Sequence, residues 1–193
     1  MIYVLISYLL GSIPFGLLLV KIFEGKDIRE IGSKNIGATN VMRTGNKFLA
    51  FCTFLLDALK GTLAAYLSLK NINDSLMFQI SIISIFLGHM FPIWLKFKGG
   101  KGISTLFGVT AYLAPVIFLI SIITWYLMFK ITKISAAGGI TATIATFILT
   151  FFIHIPNLQF CLSIAYGIIM LLIVFKHKEN IIRIIDGNEK SFK

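Results

Sequence analysis

Three short polar stretches carry the residue types that grip an anion. The first is Gly32-Ser33-Lys34-Asn35-Ile36-Gly37-Ala38-Thr39-Asn40-Val41-Met42-Arg43. Glycines let backbone N–H groups come close to a bound anion. Ser33, Asn35, Thr39 and Asn40 carry side-chain donors, and Arg43 can hold a phosphate through two hydrogen bonds. By composition alone, a phosphate loop and an ordinary turn-rich loop fit this stretch equally. The second pairs Gly88-His89-Met90-Phe91-Pro92 with Phe97-Lys98-Gly99-Gly100-Lys101-Gly102-Ile103-Ser104-Thr105. Gly99, Gly100 and Gly102 surround Lys101 just before a predicted helix start at Ile103, which suits an anion at a helix N-terminus. The spacing is not that of a Walker A loop. His89 reads either as a helix-packing histidine or as part of the polar site, and Pro92 as a kink in its helix. The third stretch is His177-Lys178-Glu179-Asn180-Ile181-Ile182-Arg183. On a helix, His177, Asn180 and Arg183 share a face, so imidazole, amide and guanidinium form one polar wall. A solvated basic tail is the plain alternative.

The elements that must position these groups are apolar. Of 193 residues, 57% are hydrophobic and 13% charged, and the mean hydropathy is +0.89. A soluble domain carries about 25% charged residues, so a water-soluble fold is excluded. A membrane helix needs about 20 apolar residues, and spans are expected at 1–20, 48–69, 75–95, 134–153 and 158–175, with His154, Pro156 and Asn157 marking the last turn. The first span lacks a basic leader and a small-residue cleavage site, and is read as retained. Stretch 102–129 is uncharged and long for one crossing.

The formal net charge is +10, from 18 Lys+Arg against 8 Asp+Glu. All the cations except Lys60 and Lys70 fall in four regions: 21–47, 96–101, 130–133 and 176–193. Positive residues flank the cytoplasmic ends of spans. All four regions share one side only if stretch 102–129 goes in and returns near Pro115. The expectation is therefore an all-α, polytopic integral membrane helical bundle. It has seven transmembrane helices with the fourth and fifth as a short hairpin, the N-terminus outside, the C-terminus cytoplasmic, and one domain over 1–193. Nucleic acid is not an expected partner, because the basic residues are dispersed between apolar segments. Cys52 and Cys161 lie within apolar stretches and suggest neither a disulfide framework nor a metal site.

Two further features are intramembrane. Asp57 and Lys60 are three apart and can pair on one helix face, either orienting the polar site or neutralising each other structurally. Gly11-Ser12-Ile13-Pro14-Phe15-Gly16 breaks the first span with small residues suited to close helix packing.

Together these stretches resemble the bacterial membrane acyl-phosphate:glycerol-3-phosphate acyltransferases, the PlsY family, over almost the whole chain. The resemblance rests on Gly11-Ser12-Ile13-Pro14, on Gly32-Ser33-x-Asn35-x-Gly37-Ala38-Thr39-Asn40-x-x-Arg43 and on Asp57-x-x-Lys60-Gly61. It continues through Gly88-His89-x-x-Pro92, Phe97-x-Gly99-Gly100-Lys101-Gly102 and His177-x-x-Asn180-Ile181-x-Arg183-x-x-x-Gly187-x-Glu189. Lys176 stands where the family usually has Arg, and Ser104 where Ala is common.

The resemblance implies transfer of a fatty acyl group from acyl-phosphate to the sn-1 hydroxyl of glycerol 3-phosphate. The products are lysophosphatidic acid and phosphate, in the first step of bacterial phospholipid synthesis. It implies catalytic roles for His177, Asn180, Ser33 and Lys101. Substrate contacts would come from Ser33, Asn35, Gly37, Thr39, Asn40, Arg43, Gly99, Gly100, Lys101, Gly102, Ser135, His177, Asn180 and Arg183. Asp57, Lys60 and His89 would support them. The glycerol hydroxyl attacks the acyl carbonyl, and its proton goes either to the donor's own phosphate or to His177 as general base. No cofactor or metal is implied. The partners implied are acyl-phosphate, glycerol 3-phosphate, membrane lipid and a soluble acyl-phosphate-forming enzyme. The implied location is the cytoplasmic (inner) membrane, multi-pass, with the active site facing the cytoplasm. The residues five beyond His89, His154 and His177 are Trp94, Gln159 and Ile182, so the H-x-x-x-x-D arrangement of acyl-CoA-using transferases is absent. A small transporter of organic phosphates is the rival from another class. No internal repeat supports it, and the polar motifs gather on one predicted side.

Overall fold

The computed structural model of the protein describes residues 1–155 and 158–192, and among these all regular structure is helical. The first apolar segment is two helices, α1 (Ile2–Gly11) and α2 (Phe15–Glu24). They part at Ser12–Pro14, because proline has no N–H to continue the ladder and disfavours helix before it. A short helix α3 (Ala38–Met42) precedes α4 (Lys47–Asn71), where the Asn46 side chain caps the start by accepting from the Leu49 N–H at 3.0 Å. Asp74 caps α5 (Ser75–Met90) in the same way, on the Met77 N–H at 2.7 Å. Pro92 does not kink α5, as the sequence suggested. It ends the helix, with Phe91 driven to φ −134 ψ 57 and a single 3-10 turn, Ile93–Leu95, following.

Stretch 102–129 divides at Ala114, whose φ −149 ψ 70 is not helical. It gives α6 (Ile103–Leu113) and α7 (Pro115–Thr132), with Pro115 at the first helical position, where its missing N–H has no partner to lose. Then follow α8 (Ser135–Phe152), α9 (Gln159–Lys176) and α10 (Lys178–Ile185). Of the expected turn His154, Pro156 and Asn157, the last two lie outside the described residues. Among the described residues, five segments are long and apolar enough to cross a membrane: Ile2–Glu24, Lys47–Asn71, Ser75–Leu95, Pro115–Thr132 and Ser135–Phe152. Ile103–Leu113 and Leu162–Lys176 are shorter apolar helices.

The chain forms two compact units, Met1–Val109 and Thr110–Lys193. In the first, α1 packs on α5 and α4 through small residues. A methyl on Gly11 would collide with the Ile85 carbonyl, and one on Gly88 with the Tyr8 carbonyl, so the two backbones touch. Gly108 lies equally close to the Ala58 backbone, and the Thr62 hydroxyl donates to the Gly108 carbonyl at 2.8 Å. Ser81 on α5 bridges Ser7 on α1 (2.9 Å) and Ser68 on α4 (2.8 Å). Such small and hydroxyl residues hold helices together where lipid removes most of the hydrophobic drive. In the second unit α7 packs on α8, joined by Ser121 and Thr146 at 2.8 Å, and α8 packs on α9. The buried Tyr166 hydroxyl donates to Thr110 at 3.0 Å.

Candidate active site

In the first unit, the connection after α2 is pinned from beneath by apolar residues. Ile28, Ile36 and Val41 are buried with Leu17 and Val20 of α2 and Leu49 of α4. At its start, Asp27 accepts from the Arg29 backbone N–H and guanidinium. The Arg29 side chain holds the Asp27 carboxyl down at about 2. The polar arc above this apolar base is organised by Asn40, which is buried. Its amide nitrogen donates to the carbonyls of Ile28 (3.0 Å), Ile31 (2.9 Å) and Asn35 (2.8 Å). Its oxygen accepts from the Ser33 N–H at 2.8 Å. Asn35 uses its side-chain oxygen on the Gly37 N–H at 3.0 Å. Gly32 has φ +58, with Asn40 and the Arg43 side chain packed where a Cβ would lie. Arg43 therefore runs past Gly32. Ser33 and Thr39 are exposed, and Arg43 is half-buried.

The second stretch docks on the end of α5. The Gly99 N–H donates to the Met90 carbonyl (3.0 Å) and the Gly100 N–H to the His89 carbonyl (2.9 Å), satisfying acceptors that a helix end leaves open. Gly102 takes φ +89, and its carbonyl accepts the Leu106 N–H at 2.8 Å, which launches α6. Lys101 is half-buried at that junction. Lys96 and Phe97 also sit in the left-handed region, at φ 50 and 62, a conformation uncommon for such side chains. Beneath the loop lie Asp57, Lys60 and His89, all buried. Lys60 Nζ is 2.7 Å from Asp57 Oδ1 and donates to the Ile13 carbonyl at 2.8 Å, with the Phe15 ring 5.6 Å away. His89 Nδ1 is 3.8 Å from Asp57 Oδ1. The carbonyls freed by the break at Pro14 are thus used: Ile13 by Lys60, and Ser12 by the Trp94 indole N–H at 2.9 Å.

In the second unit, α9 ends at Lys176, and His177 occupies the junction with α10. His177 and Asn180 are both buried. His177 Nδ1 is 2.8 Å from the Ile173 carbonyl. A carbonyl only accepts, so Nδ1 carries the proton in the neutral ring and Nε2 is its basic end. Asn180 donates to Glu189 Oε1 at 2.8 Å, and Arg183 Nε donates to Oε2 at 2.6 Å. Of the expected wall, Asn180 and Arg183 are brought together on Glu189, which clamps both, while His177 precedes α10 and its Nδ1 lies against the Ile173 carbonyl. Glu189 belongs to the sequence motif but carried no expected role. Its signal was an acid lying beyond the Asn180–Arg183 pair. Ser135 opens α8 next to Lys133, whose carbonyl accepts the Phe192 N–H at 2.9 Å.

Apolar helices joined by glycine-turned, cation-bearing polar loops define a polytopic membrane protein. The chain belongs to the family described as "Glycerol-3-phosphate acyltransferase", whose sequence model matches residues 1–187. It is 42% identical over 188 residues to the glycerol-3-phosphate acyltransferase of Wolbachia sp. subsp. Brugia malayi (strain TRS), covering 97% of this chain and 95% of that one. It is 46% identical over 189 residues to the glycerol-3-phosphate acyltransferase of Bartonella henselae, covering 96% and 88%. The crystal structure of PlsY (YgiH), an integral membrane glycerol 3-phosphate acyltransferase in its glycerol 3-phosphate form, superposes with a TM-score of 0.93 at 37% identity. That match covers 100% of this chain and 94% of the other. The lysophosphatidic acid form gives 0.91 at 36%. The protein is therefore an integral membrane glycerol-3-phosphate acyltransferase of the PlsY family.

Proposed function

We propose that the acyl donor is an acyl-phosphate and that the acceptor is the sn-1 hydroxyl of glycerol 3-phosphate. The observation that carries the choice of donor is the lack of an acid five residues beyond any of the three histidines, which removes the arrangement that acyl-CoA-dependent transferases use. The relative crystallised in glycerol 3-phosphate and lysophosphatidic acid forms supports this acceptor and product here. The hydroxyl oxygen bonds to the acyl carbon, the carbon–oxygen bond to the donor's phosphate breaks, and inorganic phosphate leaves. Phosphate is already a good leaving group, and the donor phosphate takes the hydroxyl proton.

In the first unit, Arg43 and Lys101 supply charge to the phosphates. Ser33, Thr39 and the N–H of Gly102 supply further hydrogen bonds, while Gly37, Gly99 and Gly100 shape the two loops, because their N–H groups already donate to Asn35 Oδ1 and to the Met90 and His89 carbonyls. Asn40 and Asn35 act one step back, because their side-chain oxygens already hold the loop. Asp57, Lys60 and His89 support the second loop. In the second unit, His177 and Asn180 orient phosphate, with Arg183 and Ser135 assisting. The reading treats the chain as one enzyme domain in the bacterial cytoplasmic membrane. It spans seven times with α6 and α7 as a hairpin, holds the N-terminus outside and the C-terminus in the cytoplasm, and opens its site to the cytoplasm. A soluble acyl-phosphate-forming enzyme supplies the donor.

Purified protein in detergent should make lysophosphatidic acid from acyl-phosphate and glycerol 3-phosphate, and none from acyl-CoA. Phosphate release without lysophosphatidic acid would defeat the proposal. His177→Gln separates the two proton routes. Substrate-assisted transfer predicts a lower kcat with an unchanged pH–rate profile, whereas loss of a limb would make Nε2 of His177 the base.

A further inference from the structure

The His89 imidazole is wedged between two groups. On one edge, Nδ1 faces the Asp57 carboxyl at 3.8 Å. On the other, a methyl built on Gly100 would sit 2.7 Å from Cε1 and 2.9 Å from Cδ2, and closer still to Nε2. The ring is only 4% exposed. The Asp57 edge is a fixed backing, because Asp57 is itself held by Lys60 at 2.7 Å, and Lys60 by the Ile13 carbonyl at 2.8 Å. The same residue holds the loop by its backbone, since the His89 carbonyl accepts the Gly100 N–H at 2.9 Å. Lys101 is the next residue.

We infer that His89 is a positioning residue of the acyl transfer: its imidazole, backed by Asp57, is the surface on which the Gly99–Gly102 loop is moulded, and it fixes the place from which Lys101 acts. Glycine is required at position 100 because the imidazole fills the volume any side chain would need. The inference rests on the reading that Lys101 holds a substrate phosphate.

The test is a double-mutant cycle in purified, folded protein, with kcat and both KM values measured beside the unfolding temperature. Gly100→Ala drives the loop off the imidazole and should lower kcat/KM about 100-fold, the cost of a displacement of about 1 Å at a reacting site. The constant that changes should be the one that changes in Lys101→Met. His89→Ala should cost less, about tenfold, since the loop keeps its backbone bonds but loses its template. The double variant His89→Ala/Gly100→Ala should recover to the level of His89→Ala alone, because the vacated ring volume takes the methyl. His89→Asn, which keeps an amide toward Asp57 and withdraws the distal ring atoms, gives a second cycle if the alanine variant folds poorly. A double variant as impaired as Gly100→Ala would overturn the inference. So would rescue of the unfolding temperature without rescue of kcat/KM, which marks packing alone. If Lys101→Met keeps wild-type kcat and both KM values, the phosphate reading itself fails. If Lys101→Met is impaired and the cycle shows no coupling, only the role of His89 fails.

Discussion

Asn40 uses both ends of its carboxamide inside the loop that bears Ser33 and Arg43, giving donors to three carbonyls and accepting one N–H. Asn40→Asp turns those donors into acceptors facing acceptors in a buried place. The expected loss is about 1–3 kcal/mol of stability, and more if the carboxylate stays charged. Thermal unfolding in detergent measures it, and an unfolding temperature equal to the wild type's would refute the scaffold role. Activity should fall with it, because Ser33 and Arg43 lose their mounting. The residue types of this loop were legible in the sequence, which left a phosphate site and an ordinary turn-rich loop equally open. That Asn40 would hold the loop together was not legible. That depends on where the carbonyls of Ile28, Ile31 and Asn35 converge, a matter of backbone path and not of composition. Glu189 was hidden for the same reason, since its partners Asn180 and Arg183 meet it only after the chain turns back beyond α10.

The helices were more legible than their ends. Apolar runs and prolines located nearly every segment, because hydrocarbon thickness and the missing proline N–H act on sequence directly. The stop at Phe91 was misread as a kink, since Pro92 constrains the residue before it as much as the helix it enters. The reciprocal contact of Gly11 with the Ile85 carbonyl and of Gly88 with the Tyr8 carbonyl sets how closely α1 lies on α5. Gly88→Val should therefore force the two backbones apart and destabilise the protein by roughly 1–3 kcal/mol. The obstacle is main chain, which has no rotamer by which to yield. An unchanged unfolding temperature in that variant would count against this contact as the seat of the α1–α5 interface.

At the scale of the whole chain, a net charge of +10 on a 57% hydrophobic sequence has two uses in this reading: orienting the spans and holding phosphates. The proposed topology places the basic tail from Lys176 onward in the cytoplasm. A tag fused after residue 193 should be shielded from a membrane-impermeant reagent in intact cells and become reactive once they are permeabilised. A tag reactive in intact cells would remove the seven-span arrangement. Lys60 stands apart from the other cations, because its ammonium is enclosed by Asp57, the Ile13 carbonyl and the Phe15 ring and is 4% exposed. An amine-reactive label should therefore modify the lysines of the connections in the native protein and pass this one by. Acylation at Lys60, read by peptide mass, becomes an internal gauge of when the first unit opens, reporting loss of the fold without any assay of turnover.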